Sequence, residues 1–285
     1  MRQEIYDLYD QYAHYGLDRR EFMQKLAVLA GGFIAAETLL KLLEANAAHA
    51  QTIAADDARI KVERVKIPGP AGDIGAYLAA PASGGKVGTV VVVHENRGLN
   101  PHIEDVARRV ATDGMNGVAV DFLSRAGGTP PDPDLARDMI GKLDPAGVLA
   151  DARAVIAWAA KRDTSNGKVG IVGFCWGGGV VNQVAVNAPE LAAGVVFYGR
   201  TPPSEKVADI KAPLLLNYAG NDPNTNAGVP AFEAALKQAG KSYELFMYEG
   251  AQHAFHNDTS EARYDAAAAK LAWGRTIAFF KKSLA

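Results

Sequence analysis

Cys175 is the only cysteine in the chain. It sits in Gly173-Phe174-Cys175-Trp176-Gly177-Gly178-Gly179, directly after the apolar run Val169-Gly170-Ile171-Val172 and before Val180-Val181-Asn182-Gln183. A strand that turns through Gly-x-Cys-x-Gly into a helix lifts a side chain clear of a sheet edge, because small flanking residues permit a strained backbone and close approach. The free N–H groups and dipole of the helix start then favour a thiolate. The spacing predicts a nucleophile at Cys175, although an isolated cysteine is also commonly a small buried hydrophobe.

Two later segments supply what a nucleophile needs. Leu214-Leu215-Leu216-Asn217-Tyr218-Ala219-Gly220-Asn221-Asp222 ends an apolar strand in an acid, and Tyr248-Glu249-Gly250-Ala251-Gln252-His253 ends another in an imidazole. His253 would take a thiol proton or activate water, and Asp222 would fix its tautomer. His256, three residues on, is a rival. A His-x-x-His pair also suggests a metal, but no cysteine or further histidine lies nearby in sequence to complete a site. Glu95 follows Val90-Val91-Val92-Val93-His94 at another strand end, and is either a second acid at the site or an ion-pair partner of Arg97 or Arg125. The backbone amides of Asn96 and Trp176 are the candidate oxyanion donors.

The elements that must position these groups alternate. An antiparallel pair is expected over residues 60–67 and 74–78, then strands at 87–93, 117–122, 169–174, 193–198, 213–218 and 243–248, with helical patterns between and a closing helix over about 260–280. Near-continuous Val/Ile/Leu strands between helices predict a mostly parallel central sheet with helices on both faces, an α/β architecture whose ligands bind at the carboxyl ends of the strands. The Gly127–Pro133 stretch reads as a loop at the pocket rim. Glycines 170, 173 and 177 do not have dinucleotide-binding spacing, and Phe174-Cys175-Trp176 is too bulky for a pyrophosphate.

Composition narrows the partners. Thirty basic and 32 acidic residues leave a formal net charge of −2, with no electrostatic footprint for nucleic acid and no polybasic membrane signal. One cysteine excludes an intrachain disulfide and a zinc site built on several thiolates.

Residues 1–55 read as an N-terminal extension and 56–285 as the catalytic domain. Arg19-Arg20, the apolar stretch 26–36 and the small-x-small Ala48-His49-Ala50 have the layout of a twin-arginine leader, which implies export to the periplasm. Acidic residues before the arginines, and Glu37 and Lys41 after the apolar core, fit a helical arm instead, with Ile5, Leu8, Tyr12 and Tyr15 packing on the main domain or on a second copy as a homodimer. That reading leaves the protein in the cytoplasm. The apolar segment is too short for stable membrane insertion.

Gly-Phe-Cys-Trp-Gly-Gly, His94-Glu95-Asn96-Arg97-Gly98, Asn221-Asp222 and Gly250-Ala251-Gln252-His253-Ala254-Phe255, in that set, resemble the dienelactone hydrolase family of the α/β-hydrolase fold from about Ile60 to the C-terminus. The resemblance implies a Cys175, Asp222, His253 triad, a small-molecule ester or lactone substrate, and no metal or organic cofactor. It implies that Glu95 is held beside the thiol and freed by substrate to take its proton. Arg125 falls where the family binds a substrate carboxylate, and Phe255 and His256 are expected on the substrate's side. Where dienelactone-active members have a second arginine four residues after the histidine, this chain has Asn257. The expected activity is hydrolysis of lactones or activated esters through a thioester, with a broad carboxylesterase or thioesterase, or a non-catalytic binding protein on the same scaffold, as alternatives.

Overall fold

The computed structural model describes residues 1–44 and 52–285. Eight strands form one sheet in the order β1-β2-β4-β3-β5-β6-β7-β8: β1 (Ile60–Gly69), β2 (Gly72–Pro81), β3 (Val87–Val93), β4 (Asn116–Val120), β5 (Ser165–Phe174), β6 (Ala193–Phe197), β7 (Leu214–Asn221) and β8 (Tyr243–Gln252). The Pro68–Gly72 turn pairs β1 with β2 antiparallel, β2 is antiparallel to β4, and the remaining pairs are parallel. The central strands are buried along most of their length, as their apolar, valine-rich sequences require. The twelve-residue helix α4 (Pro101–Thr112) and α10 (Ala266–Ser283) cover one face, in contact with Val90, Val92 and Phe174. The other face is covered by α6 (Pro145–Ala160) and α7 (Trp176–Asn187), which pack on β3 and β5, and by α9 (Val229–Gln238), whose Phe232 and Leu236 join the same buried core. Two short helices, α5 (Pro133–Ile140) and α8 (Pro223–Asn226), stand beside the carboxyl ends of the strands.

Helix starts are set by local chemistry. Asn100, Asp132, Asp144 and Asp265 each accept backbone N–H bonds at the mouths of their helices, and three of the four are followed by proline at the first position. The last helix begins at Ala266 rather than near Ser260, because residues 253–264 form a run of turns that Asp265 closes as a cap.

The N-terminal residues fold into three helices, α1 (Gln3–His14), α2 (Arg19–Ala30) and α3 (Phe33–Leu43). Gly31 and Gly32 divide the apolar stretch, and α2 and α3 meet at 109°. No single helix among the described residues is long and apolar enough to cross a membrane. Ile5, Leu8, Tyr12, Phe22, Leu26, Leu40 and Leu43 form a small core, with Tyr12 and Phe22 stacked at 4.4 Å. Tyr15, expected on the packing face, is exposed because the helix ends at His14. The arm docks on its own chain. Tyr6 donates to the Ala262 carbonyl at 2.8 Å, Ser260 donates to the Leu43 carbonyl at 2.9 Å, and Tyr12 and Arg19 both bond Asp134. Arg19 is thus committed to the main domain and Arg20 is exposed. The Ala48-His49-Ala50 site lies outside the described residues.

Candidate active site

The turn after β5 has the strain that its sequence suggests. Cys175 has φ 54° and ψ −114°, well outside the regions favoured by a residue with a Cβ. Packing holds it there. A Cβ on Gly173 would lie 2.1 Å from the Gly177 carbonyl oxygen, and one on Gly177 would lie 2.5 Å from that of His94, so strand, turn and helix touch backbone to backbone. Cys175 is 8% exposed and opens onto a cavity of about 390 Å³ at the carboxyl ends of the strands.

β8 ends at Gln252 and delivers His253 to the same place, while Asp222 leaves β7 as the cap of α8. His253 Nδ1 lies 2.6 Å from Asp222 Oδ2, and Asp222 Oδ1 accepts from the Thr225 amide at 3.2 Å. His253 Nε2 is buried without a hydrogen-bond partner. Burial works against charge on His253, but the Asp222 carboxylate and the Cys175 sulfur outweigh it and hold its pKa well above the ordinary value. Burial likewise pushes the Asp222 carboxyl up, and the His253 charge and bonds to His253 and Thr225 pull it below the usual range. Cys175, His253 and Asp222 are therefore brought together in the order thiol, imidazole, carboxylate.

A third group stands at the sulfur. His14, the last residue of α1, places Nδ1 3.5 Å from Cys175 Sγ, and its ring centroid lies 4.6 Å from that of His253 with the two planes tilted by 50°. The donor atoms of His14, Cys175 and His253 lie within 4.8 Å of one another. That spacing would suit a thiophilic cation, but the Asn96 amide group points an N–H at His14 Nδ1 from 3.1 Å, and a donor aimed at the same lone pair opposes a cation there. Burial, with the positive charge of His253 and Arg263 nearby, holds the His14 pKa well below its ordinary value. Asp10, one turn back and 4.0 Å from His14 Nε2, is buried, and its carboxyl is pushed up to about 6 despite the opposing charges of His253 and Arg263.

Glu95 pairs with neither Arg97 nor Arg125. Its Oε2 accepts from Asn257 Nδ2 at 2.6 Å, and its Oε1 from the Tyr198 hydroxyl at 3.5 Å. The Asn257 amide is oriented by Thr259, whose N–H and hydroxyl both donate to its Oδ1. Trp176 opens α7 and stacks on His94 at 5.1 Å. Among the described residues, no turn or loop carbonyl takes the backbone amide of Asn96 or Trp176.

Three expected substrate contacts are elsewhere. Arg125 does not line the cavity: its guanidinium is held in two bonds by Asp151, one of them 2.6 Å long, and by the Gly147 carbonyl on α6. Asp151 is nearly inaccessible and needs that charge. Phe255 and His256 do not reach the cavity either. Ala254 has φ 66° and turns the chain under the sheet, where Phe255 packs on Tyr248 and His256 stacks on Phe174. The rim loop is placed as expected, with Thr129, Pro130, Pro131 and Pro133 on the wall.

The sequence reading missed the arm's contribution to this wall, Tyr9, Ala13, His14 and Glu44, and it missed Arg263. Asp10 and His14, polar residues four apart on an otherwise apolar helical stripe, were the available signal. Arg263 donates from Nε to the Leu43 carbonyl and Ser260 Oγ and sits over the Tyr9 ring at 4.9 Å. Among the described residues no carboxylate pairs with it.

Comparison with known proteins bears on the fold and the family. The family model described as dienelactone hydrolase family matches residues 74–284, and one described as YqhI-like matches residues 1–31. A Methylorubrum extorquens protein named "Putative carboxymethylenebutenolidase" is 36% identical over 248 residues, covering 81% of this chain and 84% of its own. A Klebsiella pneumoniae crystal structure titled "Putative Dienelactone Hydrolase" superposes with TM-score 0.71 at 32% identity, over 78% of this chain and 98% of its own. The esterase rPPE, at 17% identity and TM-score 0.67, covers all of this chain and 98% of its own, and shows the shared fold. With an α/β-hydrolase sheet and a family match over most of its length, the chain belongs to the dienelactone hydrolase family and is a hydrolase of carboxylic esters.

Proposed function

We propose that the protein cleaves lactones or activated esters with Cys175 as nucleophile, His253 as base and Asp222 as the group that orients it, through a thioester. The observation that carries this reading is the 2.6 Å Asp222–His253 bond aimed, through an otherwise unpartnered Nε2, at a thiol on a strained turn facing a cavity. Strain at Cys175 fixes the sulfur before substrate arrives, which is positioning rather than energy to be released. Sulfur attacks the acyl carbon, the ester C–O bond breaks, and water assisted by His253 cleaves the thioester. The amides of Asn96 and Trp176 hold the oxyanion, each such donor being worth about 3 kcal/mol of transition-state stabilisation. Dispersed charge on an enolate-like leaving group suits a thiolate, which is a poor match for simple amides.

For an anionic substrate the carboxylate site is Arg263. Arg125 is consumed by Asp151, and Arg97 is neutralised by Asp134 at 2.8 Å, whereas the Arg263 guanidinium lines the cavity with its terminal nitrogens unbonded among the described residues. A free guanidinium fork meets a carboxylate in two parallel hydrogen bonds. That charge favours substrates carrying a carboxylate over a broad preference for neutral esters.

The test is Cys175→Ala assayed on p-nitrophenyl acetate and on a dienelactone, with mass spectrometry of the wild-type protein quenched during turnover. An acyl adduct on Cys175 and loss of turnover in the variant are expected. Wild-type-like turnover in the variant refutes the nucleophile, and a thiol inert to iodoacetamide in a protein that cleaves no ester refutes the enzyme reading.

A further inference from the structure

The arm reaches the turn after β3 through one side chain. We propose that the Asn96 side chain is a positioning residue that couples the docked N-terminal arm to the oxyanion hole, by tying the peptide whose N–H meets the oxyanion to the end of α1. The proposal rests on the reading of the Asn96 amide as an oxyanion donor for a reaction at Cys175.

On the arm's side the need is a helix end, whose last carbonyls have no intrahelical donor. The Leu17 N–H, which would reach the Ala13 carbonyl if α1 continued, turns back to the Gln11 carbonyl at 3.2 Å. Asn96 Nδ2 takes its place and donates to the Ala13 carbonyl at 2.6 Å. A carbonyl can only accept, so this bond fixes the orientation of the Asn96 amide group, and its second N–H meets His14 Nδ1 at 3.1 Å. That N–H occupies the His14 lone pair. The ring, kept neutral by burial, is then a rest for the Asn96 side chain beside the sulfur.

On the hydrolase side the need is a fixed peptide. The Glu95 carbonyl and the Asn96 N–H belong to one planar unit and point opposite ways. His94 Nδ1 donates to that carbonyl at 2.6 Å, and its Nε2 accepts the Phe122 N–H at 3.4 Å, one tautomer serving both bonds. Burial lowers the His94 pKa and keeps that ring neutral. The carbonyl end is thus held from within the hydrolase domain. Around the same turn Glu95, Arg97 and Leu99 are held there too, by Asn257, Asp134 and Thr129. Asn96 is the exception. Among the described residues its side chain bonds only Ala13 and His14 of the arm, and no turn or loop carbonyl takes its backbone N–H. An oxyanion donor works at about 3 Å from the developing charge, and a misplacement approaching 1 Å costs roughly 100-fold in rate. The bond to α1 limits that error at Asn96, so docking of the arm completes the oxyanion hole without placing an arm residue in the reaction.

The experiment uses the full chain with Asn96→Ala and Asn96→Leu, which keep the backbone N–H and remove the tether. The leucine fills the same space and carries the test if the alanine variant does not fold. On p-nitrophenyl acetate kcat is expected to fall ~10- to 100-fold with KM within about 3-fold of wild type. Acylation and deacylation both pass through an oxyanion, so the loss appears whichever step limits. Alkylation of Cys175 by iodoacetamide, a displacement that forms no oxyanion, is expected to stay within about 3-fold. Amide exchange over the last turn of α1, read by mass spectrometry, is expected to quicken ~3- to 10-fold as its cap is lost. A kcat within about 3-fold of wild type in either folded variant overturns the proposal. So does an equal fall in alkylation, which places the damage at the thiol, or a fall in kcat with unchanged exchange in α1, which detaches Asn96 from the arm. The underlying reading fails separately, by turnover retained in Cys175→Ala or in Asn96→Pro, which lacks the N–H itself. Inactivity in both, beside a normal kcat in Asn96→Ala, refutes the tether alone.

Discussion

The four glycines around the elbow are not equivalent, and alanine at each gives an ordered set of outcomes. A Cβ on Gly177 meets the His94 oxygen at 2.5 Å and the Val93 oxygen at 2.7 Å, both backbone atoms of a buried central strand that have no rotamer to change. Restoring an ordinary carbon–oxygen contact of about 3.3 Å needs β3 and α7 to part by about 0.8 Å. Backbone overpacking of this kind costs about 3 kcal/mol, the upper end of the usual range. For a domain of this size that is a fall in Tm of roughly 6–12 °C. The displaced atoms include the first amide of α7 and the sulfur, and a misplacement approaching 1 Å costs roughly 100-fold in kcat/KM. Gly173→Ala, with its Cβ 2.1 Å from the Gly177 oxygen, is expected to be worse, and Gly178→Ala, 2.8 Å from Gly199 Cα and the Phe197 oxygen, similar to Gly177→Ala. Gly179 is the control. Its Cβ would meet nothing closer than 3.8 Å in an ordinary helical position, so alanine there stabilises by about 0.5–1 kcal/mol. Thermal melts and p-nitrophenyl acetate turnover across the series are the assay. A Gly179→Ala protein as damaged as Gly177→Ala, or a Gly177→Ala protein with unchanged Tm and activity, refutes the claim that backbone contact holds the elbow.

The arginines separate by role. Arg125→Ala strands the buried Asp151 carboxylate and is expected to cost about 1–3 kcal/mol by urea denaturation with KM unchanged for anionic and neutral esters. Arg263→Gln is expected to raise KM ~10- to 100-fold for carboxylate-bearing esters only, and an equal effect on neutral esters would contradict it. Asp258 accepts from His102 at 2.9 Å and is paired with Arg109; burial pushes its carboxyl up, but these two partners outweigh it and hold the pKa well below the usual range. Because the folded pKa is the depressed one, this stability is present above the unfolded value of about 3.9 and is lost as pH falls below it. Asp258→Asn is expected to cost about 2 kcal/mol at pH 7, discounted for partial exposure, and to lose less than wild type between pH 5 and pH 3, measured by urea titration at each pH.

What the sequence shows follows the range of the forces involved. Cys175, Asp222 and His253 each end or follow an apolar strand, and parallel strand ends converge, so chain-local pattern was enough to bring the three together. The same reasoning failed for Phe255 and His256, because one residue with positive φ, Ala254, reverses the chain under the sheet, and nothing in alanine marks that reversal. Arg125 failed for a different reason. Its partner Asp151 is 26 positions away on a helix, and a guanidinium is claimed by the nearest buried carboxylate regardless of what its strand-end position offers. The arm's helices were visible in the spacing of Ile5, Leu8 and Tyr12, but the surface they cover is a tertiary matter that no periodicity encodes.

That last point bears on substrate. The dienelactone hydrolase match spans residues 74–284, and 78% of this chain accounts for nearly the whole of the Klebsiella structure. The proposed reaction groups Cys175, Asp222 and His253, and Glu95 beside them, lie inside that span. Part of the wall that a substrate would meet, Tyr9, Ala13, His14 and Glu44, lies outside it, and Arg263 is held in place by the Leu43 carbonyl at the end of the arm. On the proposed reading the bond-breaking groups come from the hydrolase span alone, whereas the wall around the substrate is shared between that span and the arm. Exchanging residues 1–44 should alter which esters fit while leaving the fold of the sheet intact, whereas exchanging the elbow should do the reverse. The acyl preference of relatives that match only the hydrolase span is therefore a guide to the reaction here, and a poor guide to its substrate.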